Sequence, residues 1–575
     1  MQQASLKRYL IFAAAVMLLF MTACSSNTNN GANGNTGKKE NTANKGDSKG
    51  TGNTGDKPAA ADPMGKYEPA IEVTTVRSLP PSIKFEKGDS IDNNIWYRSY
   101  AEDLGIKLTN KWSVPQTQWQ QKMNVTIASG DIPDILTVSA NELKRLVDAD
   151  MVEDMTDVFE KYASDKTKRI ITNDGGNGMK ASTFEGKLLA LPGVTFTGTG
   201  AQMLWIRQDW LKKLNLSEPK TMEDVYHIAE AFANQDPDGN KQKDTIGLGG
   251  INKDLNSLMG FFESFHAYPG RWVKDDSGQL VYGDIQPGLK PALQKLQEMF
   301  KAGLIDSEFA VKDQAKAYEL IASNKTGMFY SGEGAVWWPL TDHYKKEKSD
   351  WKPYPLISFD DKPASTSGGI PVGNYYVVRK GFEHPEALVK LLNFAVEKQY
   401  GPEGRLDAYW YGGENKEINV SAFAAVIISD PLELINIHRG VQASVDAGKY
   451  VDNPIADVKH HYDLYQLWLS GKFADSNEEG QAWSSYKWAG PGGGMNVVSD
   501  YVKDNKYLVD EYSGPSTPTM TAKKSTLDKM KLEVFTKIIM GQSDIGEFDK
   551  FVADWKKFGG DAITAEVNEW YKAKQ

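Results

Sequence analysis

The sequence predicts an α/β protein, and three observations carry that expectation. Short apolar runs rich in β-branched and aromatic residues interleave with stretches whose apolar residues recur at helical spacing. Hydrophobic residues make up 40% and charged residues 25% of the chain, an ordinary balance for a folded soluble protein. The 575 residues suffice for large cores. At about 100–200 residues per domain they allow about three to five domains, or fewer large ones. No internal repeat is visible.

The first element is a targeting segment over residues 1–23. Lys7 and Arg8 form a positive start, residues 10–21 are an unbroken apolar run of twelve, and the small residues Thr22 and Ala23 precede Cys24. The apolar run is too short for a membrane-spanning helix, which needs about 20 residues. Met21-Thr22-Ala23-Cys24 resembles a bacterial lipobox, with Met where Leu is more usual; the resemblance implies that Cys24 is lipidated and becomes the first mature residue. Cys24 is the only cysteine, so neither an intrachain disulfide nor a multi-thiolate zinc site can form. Residues 24–65 read as a disordered tether. Between 25 and 63 there is no Val, Ile, Leu, Met or aromatic residue, too little apolar surface to offset the entropy of ordering. As a flexible coil its span is about 35 Å.

The folded part begins near Tyr67, and its elements follow in order. Ile132-Pro133-Asp134 reads as a turn feeding a buried strand to Val138; residues 188–192 and 202–207 read as short strands. Residues 221–233 read as a helix, opened by a capping-box pattern of Thr221 and Asp224, with Val225, Ile228, Ala229 and Phe232 on one face. Residues 272–282 read as a β-hairpin. Leu289, Ala292, Leu293, Leu296, Met299 and Phe300 form a second helical stripe that stops at Gly303. Residues 375–378 read as another buried strand. The C-terminal stretch is helical, with Leu532, Phe535, Ile538 and Ile539 on one face, then Phe548, Phe551, Val552 and Trp555.

Net charge is −10, which excludes the basic face that nucleic acid needs. No His-Glu-x-x-His, Gly-x-Ser-x-Gly or P-loop signature occurs. Gly176-Asn177-Gly178-Met179-Lys180-Ala181 matches a dinucleotide fingerprint in form only, since no strand precedes it. The adjacent pair His460-His461 is poorly spaced to face one ligand.

Several segments in order resemble the family 1 extracellular solute-binding proteins, the lipoprotein branch that includes alginate- and oligosaccharide-binding members. They are Ser129-Gly130-Asp131-Ile132-Pro133-Asp134-Ile135, then residues 184–192 (FEGKLLALP), then residues 204–214 (LWIRQDWLKKL) followed by Pro219-Lys220-Thr221, residues 236–248, and the tail from Phe558 to Tyr571. The resemblance spans residue 70 to the end. It implies a two-lobed periplasmic-binding-protein-like fold of type II, with a ligand cleft between lobes that close about a multi-crossing hinge. One lobe would take residues 66–198 plus about 374–425, the other 199–373 plus about 426–575, with crossings near Gly198–Gly200 and Gly369–Gly373. It further implies no enzyme, but a lipid-anchored, monomeric protein on the outer face of the cell membrane that passes a carbohydrate to the permease of an ABC importer. A cell-surface carbohydrate-active enzyme, or a peptide-binding or sensory lipoprotein, are the alternatives.

Two sets of candidate site residues follow. Asp236, Asp238, Asn240, Gln242 (through its carbonyl) and Asp244 occupy positions 1, 3, 5, 7 and 9 of a loop whose oxygens suit Ca²⁺, in a structural role. The fit to an EF-hand is incomplete, with Lys241 at position 6 and Gly247 at position 12. Alginate-binding relatives close this loop with an acid where this chain has Thr245. The same residues also suit a solvated turn. For the ligand, aromatic rings that stack on sugar faces are expected among Tyr268 and Trp272; Tyr330, Trp337 and Trp338; Tyr409, Trp410 and Tyr411; and Trp483, Tyr486 and Trp488, read as loop residues. Trp272 and Trp555 fit cores better. The expected contacts are Trp337, Trp338, Trp410 and Tyr411, with Tyr268, Glu333 and Arg207 as polar or secondary candidates.

Overall fold

The computed structural model describes residues 62–368, 372–401, 408–413 and 418–574. The expected signal peptide, Cys24, residues 24–61 of the tether and Gly369 lie outside them. The described residues fall within one compact unit, Ala60–Gln575.

The element that positions the site is a four-stranded sheet in the order Trp351–Tyr354, Met203–Arg207, Thr326–Ser331, Ile246–Leu248. Met203–Arg207 is paired on both edges and buried at every residue, so its sequence is continuously apolar up to Arg207 rather than alternating. It runs antiparallel to both neighbours, with Ser331 opposite Met203 and Trp351 opposite Arg207. Thr326–Ser331 pairs in parallel with Ile246–Leu248, Thr326 opposite Ile246. This register gives the sheet two different ends. Residues 332–338 leave at the Met203 end, while residues 236–245 and 324–325 sit at the Arg207 end.

The expected helix is Met222–Asn234. Thr221 Oγ1 accepts from the Asp224 amide at 3.2 Å, the Asp224 carboxylate accepts from the Thr221 amide at 2.9 Å, and Val225, Ile228, Ala229 and Phe232 are buried. The second stripe is the helix Leu289–Lys301, followed by Gly303 at φ +72°. The hairpin pairs Trp272–Lys274 with Leu280–Tyr282. The C-terminal stripes are the helices Pro518–Ile539 and Glu547–Trp555.

A second, antiparallel sheet orders Ile135–Val138, Val372–Val378 and Leu191–Val194. The turn ahead of Ile135 has a reason beyond shape. The Asp134 carboxylate accepts from Thr74 N at 2.9 Å and Thr74 Oγ1 at 2.6 Å, and from Arg379 at 2.8 Å, so it ties the first strand, Ile71–Leu79, to the end of Val372–Val378. Burial works to raise this carboxyl, but the bonds from Thr74 and Arg379 hold it below its ordinary value.

Local readings are corrected in three places. The strand expected over 188–192 is two elements, because Lys187–Leu188 pairs with Thr183–Phe184 and only Leu191–Val194 joins the sheet. Trp483, Tyr486 and Trp488 lie on the helix Ser476–Ala489 rather than in a loop, and Trp483 is buried with its ring stacked on Tyr344 at 4.8 Å. Tyr330 is likewise a buried strand residue.

The buried apolar residues gather into three cores. One draws on residues 201–364 and 435–567. The other two draw on residues 73–194 and 372–428.

Candidate functional site

At the Met203 end, Gly332 leads into a short helical turn, Glu333–Val336, and then Trp337 and Trp338. These two rings are large, apolar and about half exposed, at 46% and 48%. Each is backed by other rings. Trp337 lies 6.1 Å from Trp488 and 6.5 Å from His461, and Trp338 lies 4.7 Å from Tyr318. The backing is itself fixed, since His461 Nδ1 pairs with Ser485 Oγ at 2.9 Å and Tyr318 Oη with Ser331 Oγ at 3.2 Å. A firm base with one open face is what a stacking platform requires.

Glu333 stands beside this platform. A side chain at Gly494 would come within 3.0 Å of the Glu333 Cβ, so glycine eases the close approach of the helix Gly494–Lys503. Burial pushes the Glu333 carboxyl above its ordinary value. One turn along that helix, Val498 packs on Gly198, where an added Cβ would come within 2.4 Å and φ is +93°. Tyr507 Oη donates to the Thr199 carbonyl at 3.0 Å, and Thr197 N to the Pro431 carbonyl at 2.7 Å. The helix Gly494–Lys503 thus meets Glu333 at Gly494 and residues 196–200 at Val498, where the chain leaves one core for another.

Glu263 is fully buried at the same end of the sheet. Its carboxylate accepts from the Ser367 amide at 2.9 Å, from the Ser367 hydroxyl, and from Thr366 Oγ1 at 3.0 Å, while Thr366 Oγ1 accepts from Gln202 N at 2.8 Å. Desolvation pushes its pKa up to about 8. Tyr268, also buried, has its hydroxyl pushed up to about 12 by the same cause and by the neighbouring Glu263.

The remaining expected residues sit elsewhere. Arg207 is at the opposite end of the sheet and 3% exposed. Its guanidinium donates to Asp209 at 2.8 and 2.5 Å and to Asn324 at 2.6 Å, and lies over the Trp210 ring at 4.5 Å. That side chain is engaged inside the fold. Trp410 is buried, with Nε1 donating to the Gln399 carbonyl at 2.9 Å. Tyr411 is 36% exposed on a two-residue strand, Tyr411–Gly412, paired with Ile418–Asn419. Both neighbour the core built from residues 73–194 and 372–428, not the one that carries Trp337. The backing residues His461 and Tyr318 were missed, and Trp488, expected in a loop, backs the platform from the helix Ser476–Ala489. Their signal was helical spacing towards a neighbouring aromatic, which only the packing reveals.

A cavity of 1130 Å³ lies away from these aromatics, lined by Lys144, Asp148, Lys180, Glu185, Lys380 and Lys574 among others. Its walls of mixed charge offer no stacking face comparable to Trp337 and Trp338, and the half-exposed rings carry more chemical information than the volume.

The expected calcium residues already have partners within the fold. Lys325 Nζ lies 2.5 Å from Asp244 Oδ2 and 3.4 Å from Asp238 Oδ2, so an ammonium already bridges two of the three carboxylates. Thr245 Oγ1 donates to the Phe232 carbonyl at 2.7 Å rather than facing the loop. Asp236 Oδ1 is buried without a partner, but among the described residues no three acidic or imidazole groups come together as a metal set. Asp236, Asp238, Asn240, Gln242 and Asp244 as arranged do not fit Ca²⁺.

The model of the bacterial extracellular solute-binding protein family matches residues 87–402, more than half of the chain. The chain belongs to that family. This solute-binding protein is therefore not an enzyme, and among the described residues no helix is long and apolar enough to cross a membrane. It is 23% identical over 520 residues to the lipoprotein LipO of Bacillus subtilis (strain 168), covering 87% of this chain and 93% of LipO. It is 23% identical over 437 residues to FusA, the fructooligosaccharide ABC transporter substrate-binding protein of Streptococcus pneumoniae serotype 4, covering 71% of this chain and 77% of FusA. An EF-hand mutant of FusA in complex with fructo-nystose superposes with a TM-score of 0.56 at 17% identity over 88% of this chain and 99% of that one. The alginate-binding protein AlgQ2, solved without calcium ion, gives 0.55 at 15% identity over 89% and 100%. The fold is the mixed α/β periplasmic-binding-protein fold of these structures.

Proposed function

We propose that this solute-binding protein captures a carbohydrate, an oligosaccharide, in a cleft between two lobes and delivers it to the permease of an ABC importer, held to the membrane through lipid on Cys24. The lobes are residues 66–198 with about 374–425, and 199–373 with about 426–575. The separation of the cores at residues 194–201, 364–372 and 428–435 supports that division. The observation that carries the ligand class is the pair of braced, half-exposed rings Trp337 and Trp338, with the partly exposed Glu333 carboxyl at the start of the same turn. Flat sugar faces stack on such rings, and a neighbouring carboxyl can accept from hydroxyl groups. The names of LipO and FusA favour the same reading. Tyr411 and Trp410 on the other lobe and Tyr268 near the crossing are secondary candidates, and Arg207 is left out because its donors are engaged.

Titration of the mature protein by tryptophan fluorescence with fructooligosaccharides, alginate oligosaccharides, galacturonate oligomers and short peptides tests the reading. A saccharide that quenches or shifts the emission at micromolar concentration supports it. Binding of peptides alone, with no response to any saccharide, defeats the ligand class.

A further inference from the structure

We infer that Lys325 is a built-in cation that replaces a bound calcium ion in the loop of residues 236–244, so that this chain holds the loop without metal. The inference concerns the fold and stands apart from the ligand reading.

The argument begins with the sheet. Thr326 pairs with Ile246 in parallel register, and the Ile246 amide donates to the Lys325 carbonyl at 2.7 Å. Lys325 is therefore fixed beside Thr245, at the point where the loop enters its strand. From there its side chain, only partly exposed, spans Asp244 at 2.5 Å and Asp238 at 3.4 Å. The Asp238 side chain is 4% exposed, so the Lys325 ammonium is a cation within reach of a carboxylate shielded from water. The bond to Lys325, then that to Asn240, holds the Asp244 carboxyl below its ordinary value. A second lysine completes the arrangement: Lys213 Nζ donates to the Pro237 carbonyl at 2.8 Å.

The rest of the loop is closed by its own amides. Lys241 N donates to Asp236 Oδ2 at 3.1 Å, Gln242 N to Asn240 Oδ1 at 2.7 Å, and Asn240 Nδ2 to Asp238 at 2.8 Å and to Asp244 at 3.1 Å. A calcium ion asks for six to eight oxygens and a net negative cage. Here an ammonium covers two carboxylates, the residue after Asp244 is a threonine turned to the Phe232 carbonyl, and Asn240 offers a donor to two of the acids. The charge that Ca²⁺ would supply at the end of the sheet is supplied covalently.

The test compares melting of the mature chain in chelator and in millimolar calcium chloride. The wild type should melt at the same temperature in both and give no one-to-one heat with Ca²⁺ by calorimetry. Lys325→Gln should lower the melting temperature in chelator by about 2 °C or more and recover part of the loss when calcium is added. Lys325→Gln with Thr245→Glu, which restores an acid after Asp244, should bind Ca²⁺ one to one. Lys325→Arg keeps a cation in place and should follow the wild type. Stoichiometric calcium binding by the wild type overturns the inference, even if every variant fails to fold. So does a Lys325→Gln variant that melts like the wild type in chelator.

Discussion

The two ends of one sheet do opposite things with charge and aromatic surface. At the Arg207 end the charged groups Arg207 and Lys325 are answered inside the fold. Arg207 meets Asp209 and Asn324 and lies over Trp210 and Trp351, and Lys325 meets Asp238 and Asp244. At the Met203 end the opposite holds. Trp337 and Trp338 keep a face in solvent, Glu333 is only partly exposed and meets backbone amides rather than a cation, and Glu263 is held by hydroxyl and amide donors rather than by a contacting cation. The same strands serve both ends, so the difference lies in the loops. One end is finished as structure, and the other is left with groups that a ligand or a closing lobe could complete.

Substitutions at the two ends should therefore separate stability from binding. The largest effect is expected from Arg207→Met. It removes the guanidinium from Asp209 and Asn324, and because Asp209 is 38% exposed the cost falls below that of a fully buried pair, at about 2–3 kcal/mol in denaturant unfolding. Saccharide affinity should stay unchanged, and a loss of affinity in the folded variant would break the comparison. Next come Trp337→Ala and Trp338→Ala, which should each weaken saccharide binding by about tenfold, near 1.4 kcal/mol, with little change in melting temperature. Unchanged affinity in both would remove the platform.

Glu263 sharpens the same contrast through pH. Its folded pKa, about 8, lies above the ordinary carboxyl value of 4.5. The folded state holds a proton that the unfolded chain releases, so stability is full below the unfolded value and declines as pH rises from about 4.5 towards 8. Glu263→Gln removes the ionising group and should melt about 2–4 °C above the wild type at pH 8, with the gap closing at pH 4.5. A gap independent of pH would mean that Glu263 does not carry the proton. The smallest effect is expected for Trp410→Phe, which loses the Nε1 bond to Gln399 and should cost about 1 kcal/mol of stability while leaving affinity within twofold.

Much of the fold was legible because it rests on local rules. The Thr221–Asp224 capping box, the apolar stripes of Met222–Asn234 and Leu289–Lys301, and the Trp272–Tyr282 hairpin depend on neighbours a few residues apart. The site was legible only in part. Trp337 and Trp338 were found as aromatics in a glycine-containing loop, but so were Trp483 and Trp488, which packing turned inward on a helix. Arg207, expected as a secondary ligand contact, is instead held by nearby Asp209 and by Asn324, more than a hundred residues on. The loop at 236–244 carried a calcium-like spacing, and nothing nearby in sequence announced a lysine more than eighty positions later.

By itself the sequence determined the α/β class, the helices and their caps, the ordered motifs of the solute-binding family and the residue types available for a site. Those properties are written in spacing, which the chain cannot change on folding. Tertiary structure alone decided which tryptophans face solvent, which carboxyls lose water and which acids receive a cation. Each of those outcomes depends on strand register and on contacts between residues far apart in sequence, where burial and Coulomb energy are settled by distance in space and not by position along the chain.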